Sequence, residues 1–182
     1  MSDMLKKAQE VESYVIDMRR YFHENPELSC QEFKTQEKIM EELDALGIPY
    51  EKAGSTSLIA KINAGKGSKT VALRADTDAL PVIEQSGVPF TSKNPGVMHA
   101  CGHDAHTAML LGAAKILAGM KDELPGEVRL FFQEGEEMFA GANKIIAAGG
   151  MEGVDAVFGM HGMPGMETGF YDLTPGFRMA GC

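Results

Sequence analysis

Residues 99–120 read HACGHDAHTAMLLGAAKILAGM, a polar cluster that runs directly into a long apolar segment. From about Ala105 to Met120 the segment is apolar on nearly all sides, which predicts a buried helix. Its apolar run is broken by Lys115 and is too short to cross a bilayer. The stretch therefore predicts a helix inside a folded domain, with the polar cluster at its beginning.

Segments of strand type lie on both sides of this helix. Leu58–Ile62 and Val71–Ala75 precede it, and Val128–Gln133 and Ala156–Met160 follow it. Strands that alternate with helices are typical of α/β domains. The sequence predicts a three-layer α/β sandwich with a largely parallel central sheet, and no repeat or linker divides residues 1–182.

Three further helices complete the predicted architecture. Apolar residues spaced by three and four predict a helix from Ala8 to Phe22, ending near Asn25-Pro26 because the residue before a proline avoids helical geometry. Ser29 and Glu32 resemble a capping box. The helix that they open would bury Phe33, Met40, Leu43 and Leu46 and end at Gly47; the last helix would cover Gly141–Ala148.

Composition excludes several classes of partner. The formal net charge is -9, and no run of Lys or Arg stands out, which argues against nucleic acid or an anionic membrane surface. The charged N-terminus lacks a secretory apolar stretch. Cys30, Cys101 and Cys182 are odd in number and far apart, which favours reduced thiols and a cytoplasmic location.

Side chains that can bind metal or move protons cluster at the predicted ends of strands and of the buried helix. Such ends form sites in open α/β sheets. A lone histidine or cysteine there is usually a packed polar residue, but four clusters together predict a functional site. They are Asp76 and Asp78; His99, Cys101, His103, Asp104 and His106; Glu134, Glu136 and Glu137; and His161.

Four longer motifs carry a family resemblance. They are LRADTDALP at residues 73–81, NPGVMHACGHD at 94–104, FQEGEE at 132–137 and FGMH at 158–161. In this order they closely resemble the aminoacylase/carboxypeptidase family of metallopeptidases, in its amidohydrolase branch. That branch includes hippurate hydrolases, N-acyl-amino-acid amidohydrolases and auxin-conjugate hydrolases. The resemblance extends from about Arg20 to the last residue.

The resemblance implies a site for two divalent metal ions. Cys101 would bridge both ions, His103, Glu137 and His161 would be terminal ligands, and Asp78 would orient a ligand histidine from behind. Glu136 would be the general base. Thiolate, imidazole and carboxylate together suit zinc, with manganese, cobalt or nickel as alternatives.

The residue chemistry is compatible with these roles. Neighbouring glutamates on an extended segment point in different directions, so Glu137 could bind metal while Glu136 faces water and relays its proton. Asp104 and His99 stand beside the ligands, either as orienting groups or as packed residues. His106 is either structural or substrate-facing, and His23 and Cys30 are expected to be structural.

Two departures from the family pattern are visible. Glu134 stands in the loop before the paired glutamates, where relatives commonly have a different sequence, and it is expected to add a charge near the site. Family members are about twice as long, with a lid domain that commonly mediates dimerisation and a last ligand histidine from the C-terminal part. Residues 1–182 would be the N-terminal part of the catalytic domain, without the lid, and weakly active or inactive alone. Whether the protein forms a homo-oligomer is left open.

The predicted reaction is hydrolysis of the amide bond of N-acyl amino acids or small peptides by a water activated by two metals. The alternative is a non-catalytic metal-binding fragment or pseudoenzyme of the same fold. A thiol-redox function of Cys101 is disfavoured, because no second cysteine lies nearby in the sequence. The preferred acyl group, the preferred amino acid and the metal are left open.

Overall fold

Five strands form one sheet in the order β1-β2-β4-β3-β5 in the computed structural model, which describes residues 3–176. The strands are β1 (Tyr50–Ala53), β2 (Ser57–Ile62), β3 (Thr70–Asp76), β4 (Glu127–Gln133) and β5 (Ala156–Gly159). The helices are α1 (Asp3–Glu10), α2 (Glu12–Glu24), α3 (Phe33–Ala45), α4 (His103–Gly119) and α5 (Gly141–Ala147), with 3₁₀ turns at Lys121–Glu123 and Glu136–Met138.

The α/β class is confirmed, but the sheet is mixed rather than largely parallel. β3 pairs in parallel with both β4 and β5. β2 pairs antiparallel with β1 and with β4. The chain passes from β1 to β2 through a short turn that includes Gly54 at φ 62°, and strands joined by so short a connection must run antiparallel.

The sheet is covered on both faces, as a three-layer sandwich requires. In β4, Leu130 and Phe132 pack into the larger core, together with residues of α2, α3 and α4. Phe131 points to the opposite face and packs with Ile145 of α5. This alternation follows from the two-residue period of a strand.

Helix α4 is the buried helix that the sequence predicts. Leu111 and Ala114 are fully buried in the larger core. Gly112 lies against α2, and a Cβ atom on it would be 2.5 Å from Val15 Cγ2, so the small residue allows the two helices to approach closely. Among residues 3–176, none of the helices combines the length and apolarity needed to cross a membrane.

Three local expectations are wrong. The first helix is interrupted at Val11, which divides it into α1 and α2. Helix α3 begins after Glu32 without a side-chain cap, so Ser29 does not open a capping box. Phe33 is 56% exposed, because the buried residues of α3 are Thr35, Gln36, Ile39 and Leu43 instead. Cys182 lies outside the described residues.

Candidate metal centre

The candidate site forms where three neighbouring strands end. β4, β3 and β5 are parallel, so their carboxyl ends lie at the same edge of the sheet. Asp76 ends β3, the paired glutamates follow β4, and His161 follows β5. His103 begins α4, and its Nε2 is 3.6 Å from Oδ2 of Asp76 at this edge. The topology thus brings together all the predicted clusters at the edge where α/β proteins place their sites.

Cys101, His103 and His161 form a group of potential metal ligands. The sulfur of Cys101 is 3.3 Å from Nε2 of His161, although the two residues are 60 positions apart. One ligand atom of each of the three residues lies within 4.8 Å of the other two. Atoms bound about 2.0–2.3 Å from one tetrahedral ion are about 3.3–3.8 Å apart. The distance between Cys101 and His161 therefore fits two ligands of a single ion, and His103 lies within 4.8 Å of both.

The paired glutamates complete a second group that shares His103. Nε2 of His103 is 3.8 Å from Oε2 of Glu136 and 3.8 Å from Oε1 of Glu137. The expected extended segment is wrong, because Gly135 at φ 55° turns the chain into a 3₁₀ turn. Both carboxylates consequently face the same nitrogen. Alternation along a strand cannot distinguish their roles.

A single buried atom without a partner distinguishes the two glutamates, although the Glu137 side chain is itself 23% exposed. Oε1 of Glu137 is buried without a hydrogen-bond partner in the described part of the chain, as is Nε2 of His103. A buried polar atom without a partner is destabilising unless a ligand compensates it. The Glu136 side chain is 31% exposed. The two unpartnered atoms are both of ligand type and face each other, so these residues fit a metal ion.

Asp78 lies behind His103, at the position the resemblance implies for it. Nδ1 of His103 is 2.9 Å from the carbonyl oxygen of Asp78 and 3.2 Å from its Oδ1. The other oxygen, Oδ2, accepts hydrogen bonds from the Glu137 amide at 3.1 Å and from the Ser29 hydroxyl at 2.7 Å. Asp78 therefore fixes the ring of His103 and the backbone of Glu137, and leaves Nε2 of His103 facing the site.

Electrostatics at the site favour a cation. Burial raises the pKa of the Cys101 thiol to about 12, with further contributions from Glu137, Glu136 and Asp76. Burial alone would lower the pKa of His103, but its hydrogen bond to Asp78 and the charges of Asp76 and Glu137 raise it. Excess negative charge is therefore present around the thiol. A bound metal ion supplies the positive charge that stabilises a thiolate.

A third possible ligand group, Asp76, His103 and His106, has no counterpart in the sequence prediction. The atoms of Asp76 and His106 already have protein partners: Oδ1 of Asp76 is 2.6 Å from Nδ1 of His106, and Oδ2 accepts a 2.7 Å hydrogen bond from Arg74. Nε2 of His106 accepts a 3.0 Å hydrogen bond from the Gly162 amide. The spacing of His103 and His106 on one face of α4 is the sequence signal that could have linked them.

Asp104 is turned toward a neighbouring ionic network. Its Oδ2 is 2.9 Å from Nε of Arg19 and 2.7 Å from Nδ1 of His23, and Nε2 of His23 is 3.0 Å from Glu84. His23 is thus structural, as expected. Neither ring nitrogen of His99 has a hydrogen-bond partner among residues 3–176, and burial lowers the pKa of His99 to about 4. That Asp104 orients a ligand stays a prediction.

Glu134 has a structural environment rather than a position among the ligands. Its fully buried carboxylate accepts hydrogen bonds from the backbone amides of Thr56 and Ser57 and pairs with Lys144. Burial alone would raise the pKa of Glu134, but Lys144 and the two amides lower it. Its charge is therefore compensated locally, and it fixes the start of the loop that carries Glu136.

We expect Glu134→Ala to lower the free energy of unfolding by about 3–5 kcal/mol, because Lys144 and two buried amides would lose their partner. Urea unfolding at neutral pH measures the change. The difference in stability between the two proteins should shrink as the pH falls below 4.5, the ordinary pKa of a glutamate side chain. The reason is that the pKa of Glu134 is lowered in the folded protein, so its stabilising effect depends on the ionised carboxylate. Glu167→Ala, at an exposed position, is the matched control and should change stability by less than about 0.5 kcal/mol. An equal effect of both variants would contradict the assignment.

Comparison with known families identifies the class of protein. The model of peptidase family M20/M25/M40 matches residues 72–176, which is more than half of the chain. The chain belongs to this family. The match contains every residue of the candidate site, and it confirms the resemblance that the four sequence motifs indicate.

Similar proteins of known name are hydrolases. The chain is 49% identical over 177 residues to thermostable carboxypeptidase 2 of Saccharolobus solfataricus, covering 95% of the chain and 45% of that protein. It is 44% identical over 180 residues to N-acyl-L-amino acid amidohydrolase of Geobacillus stearothermophilus, covering 98% and 49%. The chain therefore spans about half the length of the curated relatives that it matches.

Solved structures show the same fold. A dinuclear metal binding peptidase of the family from Bacillus subtilis superposes with a TM-score of 0.82 at 45% identity, covering 86% of this chain and 44% of that one. A putative aminohydrolase from methicillin-resistant Staphylococcus aureus gives a TM-score of 0.87 at 43% identity, covering 91% and 45%.

Proposed function

We propose that this chain carries the metal-binding half of an amidohydrolase site that cleaves N-acyl amino acids or small peptides. The observation that supports it most is the convergence of Cys101, His103, Glu137 and His161 around two unpartnered ligand atoms, with Glu136 beside them. Two divalent ions are proposed, with zinc first and manganese, cobalt or nickel as alternatives. The similar Bacillus subtilis structure is that of a dinuclear metal binding peptidase, which supports the number of ions.

The residues of the site would have different roles in hydrolysis. Bound ions would polarise the scissile carbonyl and acidify the attacking water. Glu136, which is partly exposed and 3.8 Å from Nε2 of His103, would take the proton of that water and pass it to the departing amine. Asp78 holds His103 and the Glu137 backbone in place. Cys101, His103, Glu137 and His161 would hold the ions.

A cleft beside Cys101 is the proposed place for part of the substrate. Its volume is about 420 Å³, and it is lined by Met98, Met163 and Pro164 with Arg19 and His99. Mostly apolar walls with a few polar groups are typical of small-molecule sites. The substrate class follows the names of relatives, among them an N-acyl-L-amino acid amidohydrolase and an N-acetylcysteine deacetylase of Bacillus subtilis.

The test is turnover of N-acetyl and N-benzoyl amino acids by the chain with added zinc or manganese. We expect low but metal-dependent release of the amino acid, detected by mass spectrometry after long incubation. A chelator and Glu136→Gln should each reduce it to background. Tight metal binding with turnover equal to that of Glu136→Gln would support the alternative, a non-catalytic metal-binding fragment.

Three further points stay predictions. They are the assignment of residues 1–182 to one catalytic part without a lid, a cytoplasmic location and a homo-oligomer.

A further inference from the structure

We infer that His106 is a positioning residue that holds His161 in place for metal binding through the backbone of Gly162. The inference rests on the proposed metal site and adds a role for a buried histidine that is itself not a ligand. His106 is 3% exposed and lies in the first turn of α4.

The hydrogen bonds of His106 determine its tautomer. The Gly162 amide donates to Nε2 at 3.0 Å, so this nitrogen carries no proton. In the neutral ring the proton is then on Nδ1, which donates to Oδ1 of Asp76 at 2.6 Å. Arg74 donates to the other oxygen of Asp76 at 2.7 Å. Because Asp76 is fully buried between these two donors, it holds the His106 ring rigidly in one orientation.

The backbone of Gly162 connects His106 to His161 through two hydrogen bonds. Nδ1 of His161 is 2.7 Å from the Gly162 carbonyl oxygen, to which it donates a hydrogen bond. That bond leaves Nε2 of His161 free to bind metal, and Nε2 is 3.3 Å from the Cys101 sulfur. The rings of His106 and His161 also touch, with centroids 4.8 Å apart. A series of contacts therefore runs from buried Asp76 to the ligand atom of His161.

The segment that carries His161 needs such an anchor. Gly162 is exposed, and the ladder between β5 and β3 ends at the pair Gly159 and Arg74. Beyond that pair, the Gly162 amide joins the exposed segment to the buried side of α4. Without the bond, only the side-chain contacts of His161 with Cys101, His103 and His106 and the metal itself would order it. Loss of groups that orient ligands typically lowers metal affinity by about 10–100-fold.

Two substitutions separate the contact to Gly162 from the contact to Asp76. The side-chain oxygen of His106→Gln can reach the place of Nε2 and accept from the Gly162 amide. The shorter side chain of His106→Asn reaches only the place of Nδ1, so it can bind Asp76 but not Gly162. Thermal unfolding of both variants records their stability separately from their metal affinity.

The experiment is a Co²⁺ titration of the unsubstituted chain and both variants, followed by the thiolate-to-cobalt charge-transfer absorption. We expect His106→Asn to weaken cobalt binding about tenfold or more, and His106→Gln to stay within about threefold of the unsubstituted chain. Equal cobalt affinity of His106→Asn and the unsubstituted chain would overturn this inference but not the proposed metal site. Equal loss of cobalt affinity in both variants would have the same consequence. No charge-transfer absorption in the unsubstituted chain would overturn the metal site and the inference together.

A second measurement needs no variant. Hydrogen exchange of the Gly162 amide in the cobalt-loaded chain should be slower than in an unstructured peptide by about tenfold or more, because its hydrogen bond must open first. Exchange at the unstructured rate would overturn the inference even if His106→Asn fails to fold.

Discussion

Replacing Cys101 with alanine is expected to reduce zinc affinity by more than about 100-fold, beyond the range for residues that only orient ligands. The thiol is 3.3 Å from Nε2 of His161, and its sulfur belongs to the proposed ligand group of Cys101, His103 and His161. Alanine would leave one carboxylate and two imidazoles without the soft donor that favours zinc. Competition with a chromophoric chelator measures the affinity.

Cys30→Ala is the matched control for this experiment. Cys30 is the other cysteine within residues 3–176, and its sulfur contacts Lys144 at 3.5 Å rather than the ligand group. Its removal should leave zinc affinity unchanged within about threefold. If Cys101→Ala binds zinc as tightly as Cys30→Ala does, the sulfur is not a ligand and the proposed site must be redrawn without it.

The apolar strands could be located from the sequence because burial dictates their pattern. Val128–Gln133 was predicted and β4 covers Glu127–Gln133, with its large side chains alternating between two cores. β1 was missed, because its two central residues, Glu51 and Lys52, are exposed. This edge strand is defined by its pairing with β2, and a single segment of sequence contains no sign of that partner.

The error at Ser29 and Glu32 shows how distant partners override a local pattern. The spacing fits a capping box, but Ser29 donates to Asp78, 49 positions away. Glu32 accepts a 2.9 Å hydrogen bond from the Gly135 amide, 103 positions away. Both residues thus support the loops of the candidate site instead of beginning a helix. Competition of this kind depends on the tertiary structure and cannot be resolved locally.

The candidate ligands could be proposed from the sequence because motifs and strand ends coincide. The contacts of the residues that support these ligands could not be predicted. Asp76 was recognised as a polar residue at a strand end, but its pairing with His106 joins β3 to α4. The link from His106 to Gly162 joins α4 to the segment after β5. Each link spans elements that are far apart in the sequence, so neither had a local signal.

The two adjacent glutamates provide the decisive prediction about chemistry. Glu136→Gln is expected to lower the metal-dependent turnover by about 100-fold or more, the scale for losing a general base, with metal content near that of the unsubstituted chain. The amide has a similar size but cannot take a proton from water. The side chain of Glu136 is 31% exposed, so the amide can remain hydrated.

Glu137→Ala is expected to deplete the metal instead. Oε1 of Glu137 is buried, has no partner in the described chain and lies 3.8 Å from Nε2 of His103. Its loss should weaken metal binding by about 100-fold or more, above the range for groups that only orient ligands. Elemental analysis after dialysis gives the metal content of both variants, and product release at saturating metal gives the turnover. Because both carboxylates face His103 at the same distance, distance alone does not assign the roles. Similar metal loss in the two variants would show that both glutamates bind metal, and the general base would then have to be a different group.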